Sequence, residues 1–317
     1  MTSRIRVLTT GGTIAYHSNG EFLGGGDLLD WLPASAAERH IDLEEVARVG
    51  SSELTVEHWA SLVSAVRRAF ANDISGAVIT HGTDTLEETA FLLDLVLDDP
   101  RPVVVTGAMR NAGAQQPDGP INLEQAVAVA AAPAARGRGV LVALNGAIHR
   151  ARDARKMHVS APDAFQSAGA GPEGVVRNGV VSFVREATGA AAHVSVSVEQ
   201  LGELPKVDIV WSYLGGDGEL LRASRNAGAK GAIIASFGSG RVTPDLNAAI
   251  FDAAESGFPI VLASRVSLGE LFANRAWPPA LASSGVLDPL KARIVLMLGI
   301  ATGQRNADLQ NIFNRFR

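Results

Sequence analysis

Seven Val- and Ile-rich runs, each closed by Gly, Thr or Ser, constrain this chain more than any other feature. They are "IRVLTTGG" (5–12), "GAVITHGT" (76–83), "PVVVTGAM" (102–109), "GVLVALNG" (139–146), "VDIVWSYLGG" (207–216), "GAIIASFGSG" (231–240) and "FPIVLASR" (258–265). None alternates apolar with polar residues, so each is expected to be a strand covered on both faces, as in parallel sheets. Helical patterns lie between them, such as "TLEETAFLLDLVL" (85–97) and "INLEQAVAVAAA" (121–132). Strands alternating with helices give an α/β architecture, parallel sheets flanked by helices.

The alternation loosens between about 165 and 205. There "FQSAGAGPEGVVRNG" reads as turns and the stretch after it as two short strands and a connection. Strand and helix patterns resume at Val207. The expected division is a larger N-terminal catalytic domain (1–190), a linker (191–204) closed by Pro205, and a smaller C-terminal domain (205–317). A chain of 317 residues suits two domains.

A formal net charge of −5 and a pI of 5.8 give no basic footprint for nucleic acid. The absence of cysteine removes disulfides, thiolate metal sites and a Cys nucleophile. His17, His58 and His149 have no metal-site spacing, and no metal or cofactor is expected. The first residues enter a strand with no apolar signal region before it, and no apolar run approaches the roughly 20 residues that span a membrane. The expectation is a soluble, cytoplasmic protein without membrane or nucleic-acid partners.

Three N-terminal runs end alike, in "VLTTGGT", "VITHGTDT" and "VVVTGAM". In open parallel sheets, ligands bind beyond the carboxyl ends of the strands, where strand order reverses. Thr13 and the Thr83–Asp84 pair are therefore candidates for one crevice. Thr85, with Glu88 three residues on, fits a capping box, so its expected task is to cap the following helix at about 1 kcal/mol. That leaves Thr83 and Asp84 without a structural task. "TTGGTIA" lacks the P-loop lysine and the dinucleotide spacing, which argues against a nucleotide-binding module. His81, a single histidine at a strand end, is expected to be a structural hydrogen-bonder.

"TGGTIA" (10–15) and "THGTDTLEETA" (80–90) together resemble the two signature motifs of the bacterial-type L-asparaginases. The likeness continues through "GSSELT" (50–55), "PVVVTGAMR" (102–110), "DGPINLEQAV" (118–127), "ARDARKMH" (151–158), "DAFQS" (163–167) and "SGVLDPLKAR" (284–293), in the family's order. The resemblance implies hydrolysis of asparagine's side-chain amide to aspartate and ammonia through a threonine acyl-enzyme. It implies Thr13 as nucleophile, with Thr83, Asp84 and Lys156 activating the second step. Lys156 is either an electrostatic support or a base. Ser51 and Asp84 match positions that hold the substrate's α-carboxylate and α-ammonium, and Ser52 and Glu53 follow in the same loop. Backbone N–H groups near Gly12 or Thr83 are the expected oxyanion donors. Ser239, in "FGSG", lies where a partner subunit reaches toward the substrate, and the implied assembly is a homotetramer, a dimer of dimers.

Two departures stand out. Family members carry a tyrosine on the loop after the first threonine, whereas "AYHSNGEFLGGGD" (15–27) has Phe22 near that place. Tyr16 is the expected substitute as aromatic acid/base, with 17–26 as a mobile lid. In the segment 264–285, Glu270 is the sole acidic residue and the candidate for the partner's substrate-binding glutamate. Alternatives are a glutaminase-asparaginase, since one methylene is worth only about 1–3 kcal/mol, and an amino-acid-binding or sensing protein without turnover.

Overall fold

The computed structural model describes residues 3–16, 21–33, 40–187, 192–274, 277–304 and 309–316. The chain divides into two compact units, Met1–His193 and Val194–Arg317.

The first unit carries β1 (Arg4–Gly11), α1 (Gly25–Leu29), β2 (His40–Val49), α2 (Val56–Ala71), β3 (Gly76–Thr80), α3 (Leu86–Val96), β4 (Val103–Thr106) and α4 (Gly119–Ala131). It continues with β5 (Val140–Leu144), β6 (Ala147–Arg150), β7 (Arg155–Lys156), β8 (Phe165–Gln166), β9 (Gly174–Arg177) and β10 (Val180–Phe183). Eight strands form one sheet in the order β10-β9-β6-β5-β4-β3-β1-β2. From β2 to β5 every pairing is parallel. From β5 to β10 every pairing is antiparallel. The sheet is therefore mixed, not parallel throughout. The stretch expected to be turns contains β8 and β9, too short and too glycine-flanked to stand out as apolar runs.

The central strands β3, β4 and β5 are buried at every position, which is why they read as unbroken apolar runs. Ile5, Val7, Val78, Val104 and Leu141 on one face pack with Leu123, Ala126 and Val127 of α4. The alternate residues face the other way, and α2 and α3 pack on the sheet as well. At the edge, β2 is half-exposed and charged. Arg4 pairs with Asp42 at 3.2 Å and Arg6 with Glu44 at 3.0 Å. Charges along an exposed edge discourage pairing with another chain.

The second unit holds α5 (Val198–Gly202), β11 (Val207–Trp211), α6 (Glu219–Asn226), β12 (Gly231–Ser236), α7 (Pro244–Glu255), β13 (Ile260–Ser264), β14 (Leu281–Ser283), α8 (Pro289–Ala301) and α9 (Leu309–Asn314). Its four strands are parallel, in the order β11-β12-β13-β14. One face of the sheet packs with Leu221 of α6 and Leu246, Ile250 and Ala253 of α7. On the other face lies α8, apolar almost all round, as a helix buried in a core must be. Asp288 caps α8, accepting from the N–H groups of Leu290 and Lys291. Among the described residues no helix is long and apolar enough to cross a membrane.

Candidate active site

In the first sheet, β1 is flanked by β2 on one side and β3 on the other, so the winding reverses between β1 and β3. That is the position where an open α/β sheet leaves a crevice at its carboxyl edge. The residues following β1 and β3 do meet there. Gly12 adopts φ +80°, and a Cβ on it would lie 2.2 Å from the Cα of Gly82. A Cβ on Gly82 would in turn lie 2.6 Å from Ser51 Oγ. Only glycine permits this approach. Three turns, after β1, β2 and β3, thereby converge.

Gly12, Thr13, Tyr16, Phe22, Gly50, Ser51, Ser52, Glu53 and Asp84 line a cleft of about 340 Å³. Its volume lies near the lower end for small-ligand sites. Ser51 is buried and central: its Oγ accepts the Asp84 N–H at 3.2 Å, and its carbonyl accepts the Thr85 hydroxyl at 2.9 Å. Glu53 Oε2 accepts the Gly50 N–H at 2.9 Å and closes the turn that carries Ser51. Thr85 stands at the N-cap position of α3, yet its side chain makes no cap bond. The expected capping role is thus corrected, because the Ser51 carbonyl, 34 residues away in sequence, takes the hydroxyl instead.

Lys156 arrives from β7. Its Nζ donates to Thr83 Oγ1 at 2.9 Å and to Asp84 Oδ1 at 2.8 Å. Thr83 is buried, whereas the Asp84 side chain is 67% exposed toward solvent. The Gly12 N–H is donated to the Val49 carbonyl at 3.0 Å. The Gly12 amide is therefore already bonded, and what this residue gives the turn is the absence of a side chain.

Tyr16 is half-exposed and T-stacked on Phe22, with ring centroids 5.4 Å apart. Its main chain is fixed: its N–H donates to the Thr13 carbonyl at 3.2 Å, and its carbonyl accepts from Ala112 at 3.0 Å. Both aromatic rings thus border the cleft that Thr13 lines. Of the expected lid, residues 17–20 lie outside the described residues. His81 is buried, and its Nδ1–H donates to the Gly82 carbonyl at 2.7 Å. Burial lowers its pKa to about 4, and the Gly82 bond only partly opposes this. Ser239 and Glu270 belong to the second unit, both exposed, in the segments after β12 and β13. Among the described residues, those that line the cleft belong to the first unit.

Residues 4–189 match the family model of the asparaginase N-terminal domain, and residues 206–313 that of the glutaminase/asparaginase C-terminal domain. The chain belongs to the asparaginase family. It is 36% identical to a probable periplasmic L-asparaginase of Haemophilus influenzae, over 98% of this chain and 93% of that protein. It is 34% identical to L-asparaginase 2 of Escherichia coli, again over 98% and 93%. The crystal structure of a probable cytoplasmic L-asparaginase from Campylobacter jejuni superposes with a TM-score of 0.92 at 35% identity, covering 99% of both chains. The cleft thus sits in a family scaffold that is present along the whole chain.

One site-bordering side chain escaped the sequence reading: Glu87, which accepts the main-chain N–H of Lys156. Nothing in "TLEET" separates it from an ordinary first-turn helix acid.

Proposed function

We propose that the protein hydrolyses the side-chain amide of L-asparagine to L-aspartate and ammonia, with Thr13 as nucleophile. The observation that carries this reading is Lys156 Nζ, bridging Thr83 Oγ1 and Asp84 Oδ1 at the rim of the cleft that Thr13 lines. Thr13 Oγ attacks the amide carbon, the C–N bond breaks, and the nitrogen leaves as ammonia after taking up a proton. Water then cleaves the Thr13 ester and restores the hydroxyl. Tyr16, bordering the same cleft, is the proposed partner that accepts and returns the Thr13 proton. The amides of Thr13 and Thr83 are the proposed oxyanion donors.

In the second step the Thr83 hydroxyl orients water while Lys156 supports the developing charge. The ion pair between Lys156 and Asp84 suits a support better than a neutral amine base. Ser51 Oγ already accepts from the Asp84 amide, so its own proton is directed elsewhere, and the substrate carboxylate is its proposed acceptor. The Asp84 carboxylate, exposed to the cleft, meets the substrate ammonium, with Ser52 and Glu53 behind it.

The test is ammonia release from L-asparagine and L-glutamine by the wild type beside Thr13→Ala and Tyr16→Phe. Turnover abolished by the first change and reduced by the second supports both assignments. Phe22 beside Tyr16 favours a second reading, amino-acid binding without turnover. Asparagine bound but never hydrolysed by the wild type establishes that reading and ends the first.

The homotetramer is likewise a proposal, supported by exposed Trp211, Tyr213, Leu214 and Phe272 on the second unit. Ser239 and Glu270 are its proposed contributions to a neighbouring subunit's substrate site. A cytoplasmic location, in line with the name of the Campylobacter jejuni protein, is tested by cell fractionation.

A further inference from the structure

Lys156 is held at two points by one short stretch of chain. Its ammonium is taken by Thr83 and Asp84, on the turn into α3. Its main-chain N–H is taken by Glu87 Oε2, in the first turn of the same helix, at 2.7 Å. Lys156 pairs with Phe165 in a ladder of only two residue pairs. So short a ribbon fixes position weakly by itself. Glu87 supplies the missing restraint from the helix that also carries the lysine's side-chain partners.

Helix electrostatics do not explain Glu87. A first-turn acid stabilises a helix from the surface, and Glu88 beside it already meets that need. Glu87 is instead buried, at 7% exposure, where a carboxylate is costly unless it is hydrogen-bonded. Seven residues on, Asp94 is also buried and accepts the Val140 N–H at 2.8 Å. Positions seven apart share a helix face. One face of α3 therefore carries two carboxylates bonded to main-chain amides, one entering β5 and one at Lys156.

We infer that Glu87 is a positioning residue for Lys156: by fixing the lysine's main chain, it sets where Nζ sits between Thr83 and Asp84. This rests on the proposed role of Lys156 in turnover. It predicts that losing the acceptor affects the chemical step more than substrate binding, because Ser51 and the Asp84 amide are anchored independently of β7.

The experiment compares Glu87→Ala and Glu87→Gln with the wild type in steady-state kinetics on L-asparagine, in thermal unfolding and in crystal structures. For Glu87→Ala, kcat is expected to fall about 10- to 100-fold, the range for a displaced supporting group, with KM within about three-fold. In its crystal structure the Lys156 Nζ–Thr83 Oγ1 separation should lengthen beyond hydrogen-bond reach. Glu87→Gln keeps a carbonyl acceptor and should recover most of kcat. A folded Glu87→Ala with wild-type kcat overturns the inference, as does a fall in kcat with Lys156 undisplaced. If Glu87→Ala does not fold, Glu87→Asp takes its place: one methylene short of the amide, it should lower kcat while Gln does not, and the reverse order overturns the inference. The crystallographic separation needs no turnover. A wild type inactive on asparagine therefore refutes the proposed function, while the position of Lys156 in the variants still decides the role of Glu87.

Discussion

The first sheet closes β1 and β3 on Gly12–Thr13 and Gly82–Thr83, packed so tightly that backbone meets backbone. The second sheet closes β11 and β13 on large apolar side chains held out to solvent. Leu214 is 96% exposed and Phe272 67%, with Trp211, Tyr213, Val266 and Leu268 beside them in sequence. Both are carboxyl edges of parallel strands, so topology alone does not make a reaction centre. The first edge adds a reversal of strand order, glycines that admit three turns at once, and hydroxyls held by named partners. The second is a plain succession of strands in chain order, without a reversal, and its exposed apolar surface suits contact with protein.

The largest effect that tests this contrast is at the proposed nucleophile. Thr13→Ala should lower kcat by about 10³-fold or more, as removal of an attacking hydroxyl does in other acyl-transfer enzymes. Ser239→Ala, on the second edge, should leave most of kcat intact and act on KM. A Thr13→Ala variant within ten-fold of the wild type would place the chemistry elsewhere.

Next comes the backbone contact itself. Gly82→Ala forces a Cβ to 2.6 Å from Ser51 Oγ and 3.0 Å from the Gly12 Cα, in a place already packed. A loss of about 2 kcal/mol or more is expected, together with loss of asparagine binding. Gly238, on the second edge, offers the control. A Cβ there meets only Val266 Cγ2, at 3.6 Å, so Gly238→Ala should be nearly neutral in thermal unfolding. Equal tolerance at the two glycines would remove the distinction between the edges.

How far these edges were legible depends on where their partners lie in the chain. The buried central strands announce themselves, because both faces are apolar. β2 does not, since "HIDLEEVARV" alternates charges that pair with Arg4 and Arg6 of β1, and no local pattern reveals such partners. Thr13, Thr83 and Asp84 are legible at the strand ends as well as in the motif likeness, Lys156 in the likeness alone, and the structure brings Thr83, Asp84 and Lys156 into direct contact. At Thr85 local spacing favours a cap, while the bond its hydroxyl makes runs to Ser51 in another turn. Glu87 is hidden in the same way, its partner being 69 residues distant.

The exposed apolar edge makes its own prediction. Leu214→Ser combined with Phe272→Ser should shift the proposed tetramer toward smaller species in light scattering at micromolar concentration. Thermal unfolding of the separated subunit should change by less than about 0.5 kcal/mol, as for surface positions generally. An unchanged tetramer would mean that this edge is not the contact.

The smallest effects concern pH, and they too separate the two units. Among the described residues, the groups that burial moves furthest are His81, Asp94 and His149, all in the first unit. Burial holds His81 neutral, with its pKa lowered from 6.5 to about 4. Such a group contributes stability that is present above pH 6.5 and is lost as pH falls toward 4. His149 acts in the same direction. Asp94 has the opposite sign. Burial pushes its carboxyl up from 3.8 to about 6, against the Val140 amide bond and the Arg150 and Arg152 charges. The folded state then binds a proton that the unfolded chain has released, so Asp94 penalises folding above about pH 6 and relaxes that penalty as pH falls toward 3.8. Asp94→Asn keeps an acceptor for Val140 and loses the buried charge. It should therefore stabilise the protein at pH 8 by an amount on the order of 1–2 kcal/mol and leave it nearly unchanged at pH 4. His81→Gln should flatten the loss between pH 6.5 and 4. Thermal unfolding across pH 4 to 8 reads both slopes. An Asp94→Asn variant less stable than the wild type at pH 8 would mean that Arg150 and Arg152 outweigh burial, and that α3 holds β5 by charge as well as by hydrogen bond.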